Sequence, residues 1–522
     1  MWKRTRYVLA AILAAYLIGA APSIVDFVND NIIVSAADAI SLRPEVTGYI
    51  TAALYKVRSY SSYFIVIYAL IVAALIFLEN SNPDRTLLWI AVLIFVPFLG
   101  LFIYLLIGPD FDNLRRRHSF RPREMLPVPT GERQALQLQT AQMLREISGA
   151  EVTWYNRITP LINGEETFAD IFETINGAKK FVHLQSFIIK DDETGRKLRE
   201  TLIAAVRRGV KVRVLYDAIG SRKITAGYVR SLNDAGVRCM SFMPVSFPMF
   251  RRKMNFRNHR KICVADGTVA YTGGLNFSKN YIHKGRMGFW RDTHVRVEGE
   301  AVKELHKIFL ADWEDRTTEK PEQVIKEDGV VYQSDFTGWK KQPVQVVPSG
   351  VSAPWHSIEM GFMSMISRAK ERVWITTPYI VPGPFITSAL RMAALSGVDV
   401  RIILPEKGDH FLVYWGGRAH IEELLSAGVK ILLYRRGFIH AKTLLSDRDI
   451  CSAGTCNLDV RSLEINFEDQ LFIYDETINK KFERQFEEDF KECRELKLEE
   501  WRKRPFCEKL LESFGRLYSA QI

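Results

Sequence analysis

The chain has 522 residues, enough for more than one domain, and its 47% hydrophobic and 25% charged residues indicate a globular protein. The spacing of its six cysteines excludes paired zinc ligands and a dense disulfide framework. A formal net charge of +11 favours an anionic partner, either a phospholipid surface or nucleic acid.

Uncharged apolar segments are concentrated near the N-terminus. Residues 7–25, 59–78 and 86–109 contain no charge over 19, 20 and 24 residues. Since a helix needs about 20 apolar residues to cross a bilayer, the second and third segments predict an antiparallel pair of transmembrane helices. The basic run 115–117 follows them, and the positive-inside rule predicts that the rest of the chain is cytoplasmic.

The first apolar segment leaves alternatives open. Lys3, Arg4 and Arg6 indicate a cytoplasmic N-terminus, but three complete spans cannot leave both ends on one side. Either residues 7–25 form a re-entrant or signal-like segment, or one of the two basic clusters does not mark the cytoplasmic side. A cleaved signal peptide is a further alternative, which Pro22 disfavours. We assign residues 1–109 to a membrane region and residues 110–150 to a basic and polar connector.

From residue 151 onwards, strand and helix patterns alternate, and the same order occurs twice. The predicted elements of the first half, residues 151–335, are a strand at 181–185, a helix at 197–208 and a strand at 210–215. Those of the second half, residues 345–522, are a strand at 373–375, a helix at 386–395 and a strand at 398–404. This alternation predicts a duplicated α/β fold, with a mixed or parallel sheet covered by helices in each half.

Each half ends its repeat with the same motif, His-x-Lys-x4-Asp. The first copy consists of His259, Lys261 and Asp266 with Gly273, Gly274 and Asn276, and the second of His440, Lys442 and Asp447 with Gly454, Thr455 and Asn457. One copy is a weak signal, but two copies with matched spacing are not chance.

The spacing within each motif has a chemical reason. Residues two apart on a strand share a face, so each histidine lies beside its lysine. An imidazole beside a fixed ammonium suits phosphoryl transfer, in which one group attacks and a cation stabilises the phosphate oxygens. Asn276 and Asn457 can donate hydrogen bonds to the same oxygens. A lone histidine is more often a structural core residue, but two in one duplicated frame favour the chemical role.

The halves differ in one insertion. Gly236 precedes His259 by 23 residues, whereas Gly428 precedes His440 by 12. The insertion combines apolar and basic side chains, which we expect to guide lipid towards the site: Phe247, Phe250, Arg251, Arg252 and Lys253. The alternative is a loop packed over the core. The C-terminal stretch predicts amphipathic helices that pack on the domain rather than on a membrane.

The doubled motif resembles the phospholipase D superfamily, and its flanks resemble the bacterial cardiolipin synthases within it. The flanking matches are residues 255–261, 290–292, 377–382, 438–442, 457–462 and 466–468. The resemblance covers roughly residues 60 to 522. Gly274 and Thr455 depart from it, because serine is frequent at both positions.

The resemblance implies that both motifs share one active site on a pseudo-twofold axis. It implies that one histidine attacks the phosphorus of a phosphatidyl group and forms a phosphohistidine, while the other acts as acid and base. We assign His259 as the nucleophile and His440 as the acid and base, and the near-symmetry of the repeat leaves the reverse assignment open. Glu468 matches the family position that orients a histidine, and Asp292 is the candidate for the first half. Asp266 and Asp447 belong to the catalytic motif by name, although their separation from histidine and lysine suggests that they anchor the local fold.

The resemblance also implies a reaction and a location. Two phosphatidylglycerol molecules would give cardiolipin and glycerol, with no metal or other cofactor, because Lys261 and Lys442 supply the positive charge. The partners would be the phospholipid substrate and the bilayer of a bacterial cytoplasmic membrane, crossed more than once, and not nucleic acid. A phospholipase D-type hydrolase, another phosphatidyltransferase, a nuclease and a non-catalytic membrane scaffold stay open, as does the oligomeric state.

Overall fold

A computed structural model describes residues 87, 89–92, 132–243, 256–350, 353 and 355–518. The chain divides into two compact units, residues 1–114 with 248–252, and residues 115–247 with 253–522. The predicted segments 7–25 and 59–78, and nearly all of 86–109, lie outside the described residues. In the part that is described, none of the helices combines the length and the apolar character needed to cross a bilayer.

The second unit contains both predicted halves. Helix α1 (Glu132–Ser148) and strand β1 (Val152–Thr153) come first in its described chain. The strands of the first half are β2 (Asn156–Ile162), β3 (Phe181–Ser186), β4 (Lys211–Asp217), β5 (Arg238–Phe242), β6 (Ile262–Ala265), β7 (Val269–Gly273), β8 (Phe289–Arg291) and β9 (Thr293–Gly299). Its helices are α2 (Asn163–Gly177), α3 (Glu193–Arg207), α4 (Ala226–Asp234), α5 (Ala301–Thr317) and α6 (Pro321–Glu327), with a 3₁₀ turn at Lys279–Ile282.

The second half repeats this order of elements. Its strands are β10 (Val344–Ser349), β11 (Arg372–Thr376), β12 (Ile380–Val381), β13 (Asp399–Pro405), β14 (Lys430–Tyr434), β15 (Gly437–Ile439), β16 (Thr443–Ser446), β17 (Ile450–Gly454), β18 (Leu458–Asp459), β19 (Glu468–Ile473) and β20 (Cys493–Glu495). Its helices are α7 (Ser357–Arg368), α8 (Pro384–Leu395), α9 (Phe411–Arg418), α10 (Ile421–Ser426), α11 (Glu476–Lys491), α12 (Leu498–Arg502) and α13 (Phe506–Tyr518), with a π turn at Arg461–Ile465.

The two main sheets have the same internal strand order, which confirms the predicted duplication. The first half has the order β2-β9-β7-β6-β3-β4-β5, and the second has β1-β10-β19-β17-β16-β11-β13-β14-β20. Removing β1 and β20 from the ends of the second sheet leaves seven strands that correspond one to one with the first. In both sheets three neighbouring strands are parallel and the others antiparallel, so each sheet is mixed.

Local signals explain the elements that lead to the motifs. Helix α3 starts at Glu193, four residues before the predicted start, because the Asp192 carboxylate accepts a hydrogen bond from the Gly195 amide and caps it. Its apolar side buries Leu198 and Leu202 against the first sheet. Gly209, at a φ of 89°, ends the helix in a left-handed conformation that other residues adopt reluctantly.

The helix within the predicted connector packs on the second half. Leu144 of α1 is buried in the core of that half, and the Thr140 hydroxyl lies 2.7 Å from the Ser364 hydroxyl of α7. The Gln345 side chain of β10 donates to the carbonyl of Ala141 at 3.0 Å. Residues 132–148 are therefore part of the second half's fold, although they precede the first half in the sequence.

The two halves share one apolar core. A single cluster of buried side chains contains Phe181 and Val264 of the first sheet, Trp374 and Leu445 of the second, and Phe482 of α11. Burying apolar surface at about 25 cal/mol per Å² stabilises this contact between the halves. The two motif strands, β6 and β16, are thereby held in a fixed relation.

Candidate active site

Short segments that cross between the halves position both histidines. Strand β8 of the first half pairs in parallel with β15 of the second, and the amide of His440 donates to the carbonyl of Arg291 at 2.7 Å. In the reciprocal crossing, the amide of His259 donates to the carbonyl of Phe467 at 2.9 Å. The backbone of each motif histidine is thus hydrogen-bonded to the other half, and this bond fixes where its side chain lies in the site.

The same crossings determine which carboxylate orients which imidazole. Nδ1 of His259 lies 2.8 Å from Oε2 of Glu468, and Nδ1 of His440 lies 2.7 Å from Oδ2 of Asp292. The sequence placed Asp292 with the histidine of its own half, and this pairing is wrong. The segments before Glu468 and Asp292 are the ones that pair with the opposite motif, so each carboxylate reaches the opposite histidine.

The lysines lie on the same face as the histidines. The ammonium of Lys261 donates to the carbonyl of His259, and that of Lys442 to the carbonyl of His440, both at 2.5 Å. The Lys442 ammonium also lies 2.9 Å from Nδ1 and 3.2 Å from Nε2 of His440. Burial lowers the pKa of Lys261 to about 7 and that of Lys442 to about 8, and each carries less charge at neutral pH than an exposed lysine.

Burial and the neighbouring ammonium groups keep both imidazoles neutral. Burial first, and then the charge of Lys261, lowers the pKa of His259 to about 4, against the opposing effect of Glu468. The pKa of His440 falls well below its usual range, because of burial and then the charges of Lys442 and Lys261. Both lysines act on both histidines, so the two motifs converge on one buried site.

The two orienting carboxylates differ in their ionisation. Burial raises the pKa of Asp292 to about 6, although the charge of Lys442 and the amide of Thr293 oppose the shift. Burial opposes ionisation of Glu468 too, but His259 and Lys261 outweigh it and hold the pKa of Glu468 below its usual value. The Thr455 hydroxyl, which donates to the carbonyl of Asp469 at 3.2 Å, also favours the charged form of Glu468. The Glu468–His259 pair is therefore the more strongly polarised of the two.

The two motif asparagines are both buried but have different surroundings. Oδ1 of Asn276 accepts from the amide of Ile188 at 3.0 Å, and its Nδ2 donates to the Tyr281 hydroxyl at 2.7 Å. Within the described part of the chain, Oδ1 of Asn457 is buried without a hydrogen-bond partner. Binding of phosphate by either residue stays a prediction.

Gly274, one of the two departures from the family pattern, lies against an orienting carboxylate. A Cβ atom at this position would lie 2.0 Å from Oδ1 of Asp292, far inside van der Waals contact. The second half has Thr455 at the matching position, and its hydroxyl lies beside Glu468. The absence of a side chain at Gly274 leaves room for the Asp292 carboxylate beside His440.

The motif aspartates lie at the far ends of their strands. The Asp266 carboxylate accepts from the amides of Lys179, Lys180 and Phe181, at 2.8, 2.8 and 3.0 Å. The four residues of β6 separate it from Lys261, so that the two Cα atoms lie roughly 13–16 Å apart. Its inclusion among the catalytic residues is wrong, since it caps the start of β3.

Asp447 makes the equivalent contacts in the second half. Its carboxylate accepts from the amides of Lys370, Glu371 and Arg372, at 2.9, 2.8 and 2.9 Å. It caps the start of β11 and is likewise removed from the catalytic set, in accord with the anchoring role that its separation from His440 and Lys442 suggested.

Two buried ion pairs that the sequence did not single out hold the crossing segments. The Arg260 guanidinium lies 2.6 Å from Asp312 of α5 and donates to the carbonyl of Glu468 at 3.0 Å. The Arg291 guanidinium makes two 2.8 Å hydrogen bonds to Asp489 of α11. Arg291 lies in one of the flanking matches and Arg260 within the motif. The sequence did not reveal their partners, because these aspartates lie on helices that are distant in the sequence.

Two further observations bear on the predicted site residues. The lipid-entry residues Phe247, Phe250, Arg251, Arg252 and Lys253 lie outside the described residues. Across the ranges that are described, no group of three or more His, Cys, Asp or Glu side chains is arranged to hold a metal ion.

Two copies of one α/β fold that share a site of paired histidines and lysines define the phospholipase D superfamily. A family model described as "Cardiolipin synthase, PLD-like domain" matches residues 171–313 and 362–490. A second, "Phospholipase_D-nuclease N-terminal", matches residues 64–109. A solved structure of phosphatidylserine synthase from Haemophilus influenzae Rd KW20 shows the same fold, with a TM-score of 0.57, 17% identity, and coverage of 74% of this chain and 100% of that chain.

Curated relatives identify the family to which the chain belongs within this superfamily. The cardiolipin synthase of Geobacillus sp. (strain WCH70) is 39% identical over 469 residues, which cover 86% of this chain and 91% of the relative. The major cardiolipin synthase of Bacillus subtilis (strain 168) is 37% identical over 478 residues, covering 88% and 98%. The chain belongs to the cardiolipin synthase family and is a phosphatidyltransferase of the phospholipase D superfamily.

Proposed function

We propose that this protein transfers a phosphatidyl group from one phosphatidylglycerol molecule to another and releases glycerol. The observation that supports the proposal most strongly is the convergence of two neutral, carboxylate-bound imidazoles and two ammonium groups on one buried site. The relatives named cardiolipin synthase supply the choice of substrate.

In the first step, Nε2 of His259 attacks the phosphorus of the donor lipid. The bond from phosphorus to the glycerol oxygen breaks, and protonated His440 gives that oxygen its proton. Lys261 and Lys442 stabilise the charge that develops on the non-bridging oxygens. The products are glycerol and a phosphatidyl group bound to Nε2 of His259.

The contacts of the two imidazoles favour His259 as the nucleophile. Its Nδ1 hydrogen bond to an ionised Glu468 directs the lone pair to Nε2. The Nε2 atom of His440 lies 3.2 Å from the Lys442 ammonium nitrogen, whose positive charge makes this imidazole a poorer nucleophile. An anionic phosphodiester between the lysines raises the pKa of His440 and lets it hold the proton it must donate.

In the second step, a terminal hydroxyl of the acceptor's glycerol headgroup attacks the same phosphorus. His440 takes the hydroxyl proton, the bond from phosphorus to Nε2 breaks, and cardiolipin leaves. Both histidines return to their starting protonation states, so no other reactant is consumed.

We also propose that the protein is anchored in a bacterial cytoplasmic membrane by residues 59–78 and 86–109, with the catalytic unit on the cytoplasmic side. The match of the N-terminal family model to residues 64–109 and the basic run 115–117 support this arrangement. The insertion residues Phe247, Phe250, Arg251, Arg252 and Lys253 guide lipid to the site in this proposal. Nucleic acid is not a substrate.

The test is lipid mass spectrometry after the detergent-solubilised full chain is incubated with phosphatidylglycerol and a chelator. We expect cardiolipin and glycerol in equal amounts, and neither product with His259→Ala or His440→Ala. Phosphatidic acid as the main product would instead identify a hydrolase. A phosphatidyl adduct on His259, trapped under alkaline denaturing conditions, supports the assignment of the nucleophile, and an adduct on His440 would reverse it.

A further inference from the structure

Helix α13 turns its acidic side inward. The Arg418 guanidinium of α9 lies 2.9 Å from the Glu508 carboxylate and 3.2 Å from the Glu512 carboxylate. Gly515, on the same side of α13, lies so close to α9 that a Cβ atom there would be 2.5 Å from the amide nitrogen of Gly416. Charge pairing and close backbone approach therefore attach α13 to the domain.

The opposite side of the helix is apolar and exposed. Phe506 and Leu510 lie about one turn apart on α13, and 79% and 60% of their surfaces are exposed. On α9, Phe411 and Leu412 are 62% and 39% exposed. A helix of a water-soluble domain normally has the reverse arrangement, with its apolar side towards the core.

This apolar surface carries basic side chains and no exposed acidic ones along α13. Lys509, next to Leu510 in the sequence, and Lys503, which precedes the helix, are both exposed, and the Lys509 ammonium donates to the carbonyl of Arg502 at 3.1 Å. The acidic residues of α13, Glu508 and Glu512, face Arg418 instead. An apolar stripe edged by ammonium groups matches an anionic lipid surface, into which the apolar side chains insert while the cations bind headgroups.

The surface lies beside the active site. Helix α9 packs on β12, where a Cβ atom at Gly417 would lie 2.9 Å from the carbonyl oxygen of Ile380. Strand β12 pairs in parallel with β18, which begins directly after Asn457 of the second motif.

We propose that the exposed faces of α9 and α13, formed by Phe411, Leu412, Phe506, Lys509 and Leu510, bind an anionic phospholipid bilayer beside the mouth of the active site. This deepens the proposed function, on which it rests for the lipid substrate. The sequence predicted that the C-terminal helices pack on the domain rather than on a membrane. The acidic face of α13 does pack there, and the apolar face is left for the bilayer.

A quenching experiment on the full chain tests the proposal without requiring turnover. Cys507 lies on α13 and is exposed, whereas Cys239, Cys263, Cys451 and Cys456 are buried and Cys493 is partly buried. A bimane fluorophore on Cys507, with Cys493→Ser as background, is placed in vesicles of brominated phosphatidylglycerol and phosphatidylcholine. We expect brominated lipid to quench the fluorescence at least twofold. Quenching should be weaker in vesicles that contain brominated phosphatidylcholine alone.

Substitutions locate the contact. Phe506→Ser with Leu510→Ser should abolish the quenching and lower activity on long-chain phosphatidylglycerol in vesicles at least about tenfold. Activity on a short-chain substrate in detergent should stay within twofold. The matched control is Val331→Ser, which removes an equally exposed apolar side chain (59%) beside Gly267, at the far end of β6 from the site.

Three outcomes would overturn the proposal: no quenching at Cys507, quenching that the double substitution leaves intact, or an equal loss of vesicle activity with Val331→Ser. Quenching at Cys507 without any cardiolipin synthesis would leave the docking surface standing and remove the proposed reaction. If Cys507 forms crosslinks between two copies of the chain and its fluorophore is not quenched, a second copy covers this surface rather than the bilayer.

Discussion

The Nδ1 atom of His259 lies 2.8 Å from Oε2 of Glu468, a residue 209 positions later in the other half of the fold. The pairing is reciprocal, because Asp292 of the first half lies 2.7 Å from Nδ1 of His440. Neither half therefore contains a complete histidine–carboxylate pair. The duplication supplies two similar frames, and the crossing of β8 with β15 and of Asn258 with Phe467 joins them into one site.

The Glu468→Gln substitution tests this relationship. Glutamine keeps the size of the side chain but removes the charge that fixes the His259 tautomer, so we expect kcat to fall about 100- to 1,000-fold with little change in KM. Steady-state kinetics with short-chain phosphatidylglycerol measure both constants. Glu487→Gln, on the exposed side of α11, is the control and should change neither. A raised KM with normal kcat would mean that Glu468 binds substrate instead.

Gly274 provides a second test at the other pair. Gly274→Ala introduces a Cβ atom that would lie 2.0 Å from Oδ1 of Asp292 and must displace that carboxylate from His440. We expect kcat to fall at least about 100-fold, because the acid and base loses its orienting partner. Gly177→Ala is the control, since a Cβ atom there meets nothing within 4 Å. Normal activity of Gly274→Ala would show that Asp292 tolerates displacement.

The sequence predicted the duplication and the motif residues because both depend on local patterns. Periodicity located β3 and α3, and the spacing of His259 and Lys261 placed both on one strand face. The sequence analysis assigned Asp292 to the histidine of the wrong half, because that choice depends on how two sheets pack and not on any local pattern. The ion pairs Arg260–Asp312 and Arg291–Asp489 were missed for the same reason.

The motif aspartates should affect stability rather than chemistry. Asp266→Ala removes one acceptor from three backbone amides at the start of β3, and Asp447→Ala does the same at β11. Because these groups are partly exposed, we expect each substitution to cost about 1–3 kcal/mol, or a few degrees in Tm. Thermal unfolding checks this, and kcat below the transition should stay within about threefold. A large loss of kcat in a fully folded variant would return the aspartates to the catalytic set.

The buried lysines predict an alkaline limit to substrate capture. In the free enzyme the pKa of Lys261 is lowered to about 7 and that of Lys442 to about 8, chiefly by burial. Raising the pH through these values removes their positive charges, so kcat/KM for an anionic lipid should fall from about pH 7–8 upwards. Bound phosphodiester stabilises both ammonium groups. The alkaline limb of the kcat profile, where kcat decreases, should therefore appear at a higher pH than the alkaline limb of kcat/KM.

The pH dependences of kcat and kcat/KM, measured with short-chain phosphatidylglycerol in neutral detergent, give this difference between the two alkaline limbs. Phosphatidylglycerol keeps one negative charge throughout this range, so a limb in kcat/KM belongs to the enzyme. His259 and His440 do not produce it, because their pKa values in the free enzyme lie well below neutrality. A kcat/KM that stays constant to pH 9.5 would show that neither lysine loses its charge in the free enzyme over this range. A decrease in kcat at the same pH as the decrease in kcat/KM would show that bound lipid does not stabilise the ammonium groups.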